Sequence, residues 1–219
     1  MRPHLRHSDY AEEFNIWPAF TDLMSNAFMI AILLLLLSIV QVGKLKQQLA
    51  GRTPTDAPPI ILIQNTGAYQ FASGSAELPE ALNSYVRGKL VNEIESNAKA
   101  YQIDVVEVIG HTDGQPNGRV SSNLDNDLEK VARGQIPIHN LQAGSNADLG
   151  LMRALELVRV LRSIQQHGTR LKGLEFRAYS AAQLISPTGN LTPVNQQSDP
   201  RRRRIEIRFT RLGKVTNVH

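Results

Sequence analysis

Two sets of residues in this chain, one on a helix face and one a pair, have types and spacings that suit chemistry. The first is built on Asp22, followed on one helix face by Ser25, Asn26, Met29 and Leu33 at i+3, i+4, i+7 and i+11. A carboxylate within a hydrocarbon-spanning helix costs ~2.5–3.5 kcal/mol at the centre and less near the interface. Two readings fit that position. Asp22 is a solvated residue at the helix start, favoured by the helix dipole, or it is an ion acceptor whose pKa desolvation raises so that it can cycle between charged and neutral. The second is the pair of Asp113, just past a β-branched run, and Arg153, in the first turns of the next helical pattern. Separated opposite charges suit a ligand carrying both an amine and a carboxylate. The guanidinium binds carboxylate through two parallel hydrogen bonds, and the aspartate receives the ammonium. Backbone donors at the helix start near Asn146 add anion affinity. An internal Asp113–Arg153 ion pair that orders the loop would use the same two residues.

Other charged or reactive types lead less far. His111 has no Ser or Cys nucleophile and no second metal ligand beside it, and reads as a strand-end histidine. Asp125, Asp127 and Glu129 do not complete an EF-hand spacing and read as solvated loop charges. The run Arg201–Arg204 reads as one or two structural or ligand-edge arginines plus solvated ones, since an RNA site also wants stacking aromatics.

The 219 residues carry 24 Lys+Arg against 20 Asp+Glu, a formal net charge of +4, with much of the excess in that one arginine run. No nucleic-acid partner is expected on this balance. With no cysteine, disulfide frameworks, Cys-based zinc sites, Cys nucleophiles and a lipid-modified N-terminal Cys are all excluded. The length suits one ordinary domain plus an accessory segment.

That accessory segment is apolar. Leu23 to Val42 is about the ~20 residues a helix needs to cross a bilayer. Trp17 and Phe20 precede it, as amphipathic aromatics do at a membrane boundary, and Lys44 and Lys46 close it. A cleaved signal peptide fits poorly: Asp9, Glu12 and Glu13 lie in the leader and no small-x-small site follows. Arg2 and Arg6 before the span, against Lys44, Lys46 and Arg52 after it, leave the orientation undecided by charge. The organisation expected is an N-terminal segment over 1–16, a transmembrane helix over 17–43, a linker over 44–59 (whose first part, Lys44 to Ala50, can extend the helix), a domain over 60–212 with an insertion at 115–145, and a tail over 213–219.

The domain reads as α+β. Ile60–Gln64 follows two prolines as a short strand, and Glu77–Gln102 is helical, with Pro79 in its first turn and a stripe through Leu78, Leu82, Tyr85, Val86, Leu90 and Ile94. Ile103–Ile109 is a central strand and Asp148–Gln166 a second helix. Leu174, Phe176 and Ala178 alternate as a strand. Ile205, Ile207 and Phe209 alternate with Arg204, Glu206 and Arg208 as a half-exposed one. The order β-α-β-α-β-β gives a single sheet with helices on one face.

Local strings carry a resemblance. Trp17-Pro18-Ala19-Phe20-Thr21-Asp22-Leu23-Met24-Ser25 is similar to the start of the transmembrane helix in MotB-type stator subunits. Four further strings resemble the OmpA-like peptidoglycan-binding domain: Phe71 to Leu78, Gly110-His111-Thr112-Asp113, Asn146 to Ala154 with Gly150 in place of Ser, and Arg203-Arg204-Ile205-Glu206-Ile207. The resemblance covers roughly 60–212. The insertion over 115–145, and Arg202 where Asn is usual, depart from the pattern.

The MotB/OmpA-like resemblance implies that Asp22 is the ion-carrying group, with Ser25 and Asn26 on the channel face. It implies peptidoglycan binding by Thr112, Asp113, Asn146, Leu149, Arg153 and Arg203, through the zwitterionic end of diaminopimelate in a stem peptide. It further implies a homodimer within a ring of MotA-like membrane subunits, in the bacterial inner membrane with the N-terminus cytoplasmic and the C-terminal domain periplasmic. Such a chain is a transducer of ion flow rather than an enzyme, and no cofactor is implied. The short linker and compact chain are most similar to ZorB, the MotB-like subunit of the Zorya anti-phage defence system, whose membrane partner is ZorA. A flagellar stator subunit and a static OmpA-like wall anchor are the alternatives.

Overall fold

The computed structural model describes residues 16–50, 57–118, 120–193, 195–213 and 216. Arg2, Arg6, Asp9, Glu12, Glu13 and Arg52, on which the leader and orientation readings rest, lie outside them, as do residues 51–56 of the linker and most of the tail. The chain divides into two compact units at Thr53–Pro54.

The first unit contains one long helix, α1 (Trp17–Ala50, 34 residues). From Trp17 to Lys44 it is long and apolar enough to cross a membrane, and every residue of that span is exposed. It continues to Ala50 because Lys44-Leu45-Lys46-Gln47-Gln48-Leu49-Ala50 consists of good helix formers with no Gly or Pro before Gly51. The extension adds ~10 Å at ~1.5 Å per residue and takes up the first half of the expected linker.

The second unit is a four-stranded mixed sheet with helices on one face. In chain order it contains β1 (Ile61–Gln64), α2 (Glu80–Tyr85), a π-helical turn (Val86–Leu90), α3 (Val91–Tyr101), β2 (Val105–His111), α4 (Leu124–Ala132), α5 (Asn146–His167), β3 (Glu175–Ala182) and β4 (Arg204–Thr210). The strand order is β1-β4-β2-β3. β4 runs antiparallel to both β1 and β2, whereas β2 and β3 are parallel across the α5 crossover. The first helix starts at Glu80 rather than Glu77: Pro79 stays extended (φ −56°, ψ 146°) and holds Leu78 out of the helix, while its carbonyl accepts from Asn83 N at 2.9 Å. At the other end Gln102 turns left-handed (φ 53°) and stops the helix. Ser145 caps α5, its hydroxyl accepting from Asp148 N at 3.2 Å, so α5 begins two residues before the expected Asp148.

One face of the sheet (Ile63, Val106, Val108, Phe176, Ile205, Ile207 and Phe209) is buried against Leu82, Val86, Leu90, Val91 and Ile94 and against Ala154, Leu157, Val158 and Leu161. The π turn brings both Leu90 and Val91 inward, which a regular 3.6-residue repeat would not do. The half-exposed reading of β4 is corrected. Placed between β1 and β2, the strand also buries Arg204 and Glu206, and along it only Arg208 is exposed.

The sheet and α5 touch at two glycines. A Cβ on Gly110 would lie 1.9 Å from the Gly150 carbonyl oxygen, and a Cβ on Gly150 would lie 2.9 Å from the Gly110 carbonyl oxygen and 2.4 Å from Ser180 Oγ. Gly150 therefore replaces the Ser of the resembled string where β2, β3 and α5 leave no room for a side chain. Gly110→Ala is expected to destabilise the domain by ~3 kcal/mol or more through overpacking. Chemical unfolding of the full-length variant checks this, and an unchanged midpoint would contradict the close approach.

The insertion is folded. Leu124, Val131, Ile138 and Leu141 form a second apolar cluster with Leu149, Met152 and Leu155 of α5. Asp125 and Asp127 are not loop charges but lie in the first turn of α4, with Glu129 on the same helix, where acids complement the helix dipole. Asp127 also accepts from Lys130 Nζ at 2.8 Å. Among the described residues, no group of three His, Asp or Glu is placed to hold a metal ion.

Candidate functional site

A polar cleft of ≈ 140 Å³ opens where the C-terminal end of β2, the first turns of α5, the loop after β1 and the start of β4 meet. The structure brings Thr112, Asp113, Asn146, Leu149, Arg153 and Arg203 together in its lining. The first turn of the insertion supplies a further wall through Gln115, Pro116 and Asn117. Asn117 Nδ2 holds that wall by donating to the Ala143 carbonyl at 3.0 Å. The insertion thus borders the cleft with its first residues and packs the remainder on α5.

Asp113 and Arg153 form no ion pair with each other. Asp113 Oδ2 accepts from Arg203 Nη1 at 3.1 Å, from Asp199 N at 3.3 Å and from Ser198 Oγ at 3.5 Å. Among the described residues its Oδ1 accepts only from Gln115 N, at 3.2 Å. A carboxylate oxygen can take more than one donor, so Oδ1 retains capacity for an ammonium. Arg203 is the residue that neutralises Asp113, in place of the Asp113–Arg153 pair considered from the sequence.

Arg153 is held differently. Its Nε donates to the Ser75 carbonyl at 2.9 Å and its Nη2 to the Ala72 carbonyl at 3.4 Å, and its guanidinium lies 4.9 Å from the centre of the Phe71 ring. The loop after β1 presents this aromatic face because Asn65, at the strand end, accepts from Phe71 N at 2.7 Å through its buried side chain. Burial pushes the Arg153 pKa down to about 10, helped by repulsion from Arg203 and opposed by Asp113. The group stays charged at neutral pH. Nη1 has no acceptor among the described residues. With Asp113 already paired to Arg203, the cleft carries one positive charge in excess, which favours an anionic ligand group beside Arg153.

The remaining residues have supporting positions. Asn146 does not present its amide to the cavity alone: its Nδ2 donates to the Gln115 carbonyl at 2.8 Å and the Asp113 carbonyl at 3.3 Å, tying the turn after β2 to the start of α5. Thr112 is buried, and its Oγ1 has no partner within the described chain. Phe71, Asn65 and Gln70 line the cleft but were not singled out as site residues by their spacing. An Asn at a strand end followed by an aromatic is the one signal the sequence offers for them.

The four consecutive arginines split apart. Arg201 is exposed and paired with Asp199 at 3.0 Å, Arg203 pairs with Asp113, and Arg202 and Arg204 are buried. Three of the four are structural or at the ligand edge, against the one or two expected, because the run leads into a strand that lies inside the sheet. His111, the last residue of β2, sits below the cleft with Nε2 3.1 Å from Glu206 Oε2, and Arg204 Nη2 lies 3.6 Å from the same oxygen. Desolvation and Arg204 push the His111 pKa down to about 4, against the pull of Glu206. The unfolded chain takes this proton near pH 6.5 and the folded one only near 4, so stability falls as pH drops through that window. The wild-type protein is expected to lose ~1–2 kcal/mol more than His111→Gln between pH 7 and pH 5, as read by urea unfolding. Equal losses would contradict the buried neutral imidazole.

On α1, Asp22 and Ser25 line a shallow exposed recess with Trp17, Pro18 and Thr21, and Asn26 Nδ2 donates to Asp22 Oδ1 at 3.4 Å. Thr21 Oγ1 donates back to the Trp17 carbonyl at 2.8 Å, and the Trp17 and Phe20 rings meet edge to face at 6.3 Å.

No protein-family model and no curated protein matches the sequence. Among solved structures, the chain is similar to the periplasmic domain of Helicobacter pylori MotB, at 18% identity and a TM-score of 0.43 over 72% of this chain and 79% of that one. It is also similar to the cell wall anchor of the T6SS from Pseudomonas aeruginosa (20% identity, TM-score 0.37, 68% of this chain and 80% of that one). A third is the OmpA-like domain of FopA1 from Francisella tularensis (16% identity, TM-score 0.34, 70% and 75%).

Proposed function

We propose that this chain is a wall-anchored, membrane-embedded stator subunit of the MotB-like kind, in which ion flow past Asp22 is coupled to rotation while the C-terminal domain grips peptidoglycan. The observation that carries the wall-binding half is the cleft. Among the described residues Arg153 has a free guanidinium edge and no carboxylate in ion-pair contact, and Asp113 in the same cleft is held by other donors with one oxygen lightly used. The free end of diaminopimelate carries an ammonium and a carboxylate on one carbon, which suits that pair. Thr112, Asn146, Leu149 and Arg203 shape and charge the same cavity.

The transducing half rests on α1. A single long apolar helix bears a carboxylate near its N-terminal end, with Ser25 and Asn26 on its face. An acid drawn into the hydrocarbon region is costly unless it has protein or ion partners. The partners proposed are a second copy of this chain and a ring of MotA-like subunits, in the inner membrane, with the N-terminus cytoplasmic and the C-terminal domain periplasmic. The wall domain then supplies the fixed point against which torque acts.

The short stretch between α1 and β1 supports a Zorya-type assembly, with a ZorA-like partner, over a flagellar stator. Deletion that removes phage protection and spares swimming is the result expected, and a swimming defect would instead favour the flagellar role. The wall-binding half is tested by sedimentation of the full-length protein, in detergent, with diaminopimelate-containing sacculi. Free meso-diaminopimelate is expected to compete, and absence of sedimentation would remove this reading.

A further inference from the structure

A second groove adjoins the cleft. It has a volume of ≈ 340 Å³, shares Pro116 and Asn146 with the cleft, and is walled by the loop between β3 and β4. Its lining is rich in amide and hydroxyl side chains (Gln183, Thr192, Asn195 and Gln196) around a single charged group, Arg202.

Arg202 is only 5% exposed. Its Nη2 donates to the Gln183 carbonyl at 2.6 Å and its Nη1 to the Asn195 carbonyl at 3.3 Å, while Nε is buried with no partner. No carboxylate among the described residues lies within ion-pair distance of it. The nearest acid in sequence, Asp199, is gripped by Arg201 through both of its oxygens. Its neighbours differ, since the half-buried Arg203 has Asp113 and the buried Arg204 has Glu206. Carbonyl dipoles orient a guanidinium but do not neutralise it, and a charge removed from water without a counter-charge is costly.

The position of that charge relative to the cleft is fixed by Gly114. A Cβ there would lie 1.6 Å from the Asn195 carbonyl oxygen and 3.2 Å from Arg202 Nη1. The guanidinium is therefore packed against the residue that follows Asp113. Among the described residues, Arg153 in the cleft and Arg202 in the groove are two buried guanidinium groups with no carboxylate in ion-pair contact, one on each side of the Asp113–Pro116 turn, while Asp113 and Asp199 act on them only from farther off.

We propose that the groove is a second carboxylate subsite for the same peptide ligand, with Arg202 as the group that neutralises it. The inference deepens the stem-peptide reading and rests on it. In a stem peptide the D-glutamate preceding diaminopimelate is linked through its γ-carboxyl, which leaves its α-carboxylate free beside the zwitterionic residue. Amidation of that carboxylate removes the charge and keeps the shape. The subsite thus makes the protein selective for stems that are not amidated at the second position.

The test is calorimetric titration of the full-length protein in detergent with two synthetic tripeptides, L-Ala-γ-D-Glu-meso-diaminopimelate and its D-isoglutamine counterpart. The wild-type protein is expected to bind the free acid ~10-fold more tightly, the scale of one charge-assisted hydrogen bond. Arg202→Gln is expected to bind both peptides alike, at the affinity of the amidated one. Equal wild-type affinity for the two peptides would overturn the subsite while leaving the cleft assignment standing, as would discrimination that survives in Arg202→Gln. Failure of the wild-type protein to bind either peptide would overturn the stem-peptide reading and this inference together. The wild-type comparison needs no variant to fold.

Discussion

Asp113→Asn is expected to lower binding of the full-length protein to diaminopimelate-containing peptidoglycan by ~100-fold or more, with the fold retained. The side chain keeps its shape but only one of its two oxygens, so the donors on one edge, either Gln115 N or Asp199 N and Ser198 Oγ, turn to water instead. What is lost is the charge that would receive the ligand ammonium and that already neutralises Arg203 at 3.1 Å. Hydrogen bonds to charged groups are worth ~1.5–3 kcal/mol each, so loss of the ammonium contact at the upper end of that range supplies the ~2.7 kcal/mol that ~100-fold requires, while loss of the Arg203 pair acts on stability in the free and bound states alike. The complementary change at Arg153 must respect its second role. Arg153→Ala strips donors from the Ser75 and Ala72 carbonyls and contact from Phe71, and so loosens the loop after β1 as well as removing ligand contact. Arg153→Lys keeps the charge and loses the planar fork, and is expected to weaken sedimentation with much less effect on stability. Sedimentation unchanged in both Asp113→Asn and Arg153→Lys would refute the cleft assignment.

Asp22→Asn is expected to abolish ion-driven output while membrane insertion, assembly and wall binding persist. Asparagine preserves the size of the side chain and its ability to bond to Asn26, one turn on, but cannot gain and lose a proton or balance a cation. The available drive is ~2.3 kcal/mol per elementary charge per 100 mV, and it acts only on a group that changes or carries charge across the membrane. A static wall anchor makes the opposite forecast: Asp22 is then a helix-start residue worth ~1 kcal/mol or less, and the variant keeps its full phenotype. Phage protection and ion flux measured in the same cells, with membrane fractions blotted for the protein, separate the two outcomes.

Much of the fold was legible because it is written in short-range patterns. The apolar run at Leu23–Val42, the β-branched run before His111 and the stripe from Leu82 to Ile94 each match the element that contains them. Boundaries moved where a single residue outweighed the pattern, as Pro79 did at the start of α2 and Ser145 at the start of α5. The larger revision was β4. Its alternation of Arg204, Glu206 and Arg208 with apolar residues looks like one wet face, but strand order is a long-range property. A strand flanked by β1 and β2 and covered by the loop after β3 buries charges that find partners across the sheet. For the same reason the run Arg201–Arg204 could not be resolved into one solvated, one cleft and two buried residues from its composition.

The candidate site was partly legible. Asp113 and Arg153 stand at the ends of a strand and the beginning of a helix that the parallel β2–β3 crossover must bring together. Their partners were not, because hydrogen bonds between residues 78 and 90 positions apart leave no local mark: Arg203 on Asp113 and Ser75 under Arg153 both emerge from the tertiary fold.

The most direct test of the account is a calorimetric comparison of two stem tripeptides, identical except that the third residue is meso-diaminopimelate in one and lysine in the other. Lysine retains an ammonium for Asp113 but lacks the carboxylate that the unpaired guanidinium of Arg153 would hold. The account predicts saturable binding of the diaminopimelate peptide and at least ~10-fold weaker binding of the lysine peptide. Equal affinity for the two, or no binding of either, would contradict it.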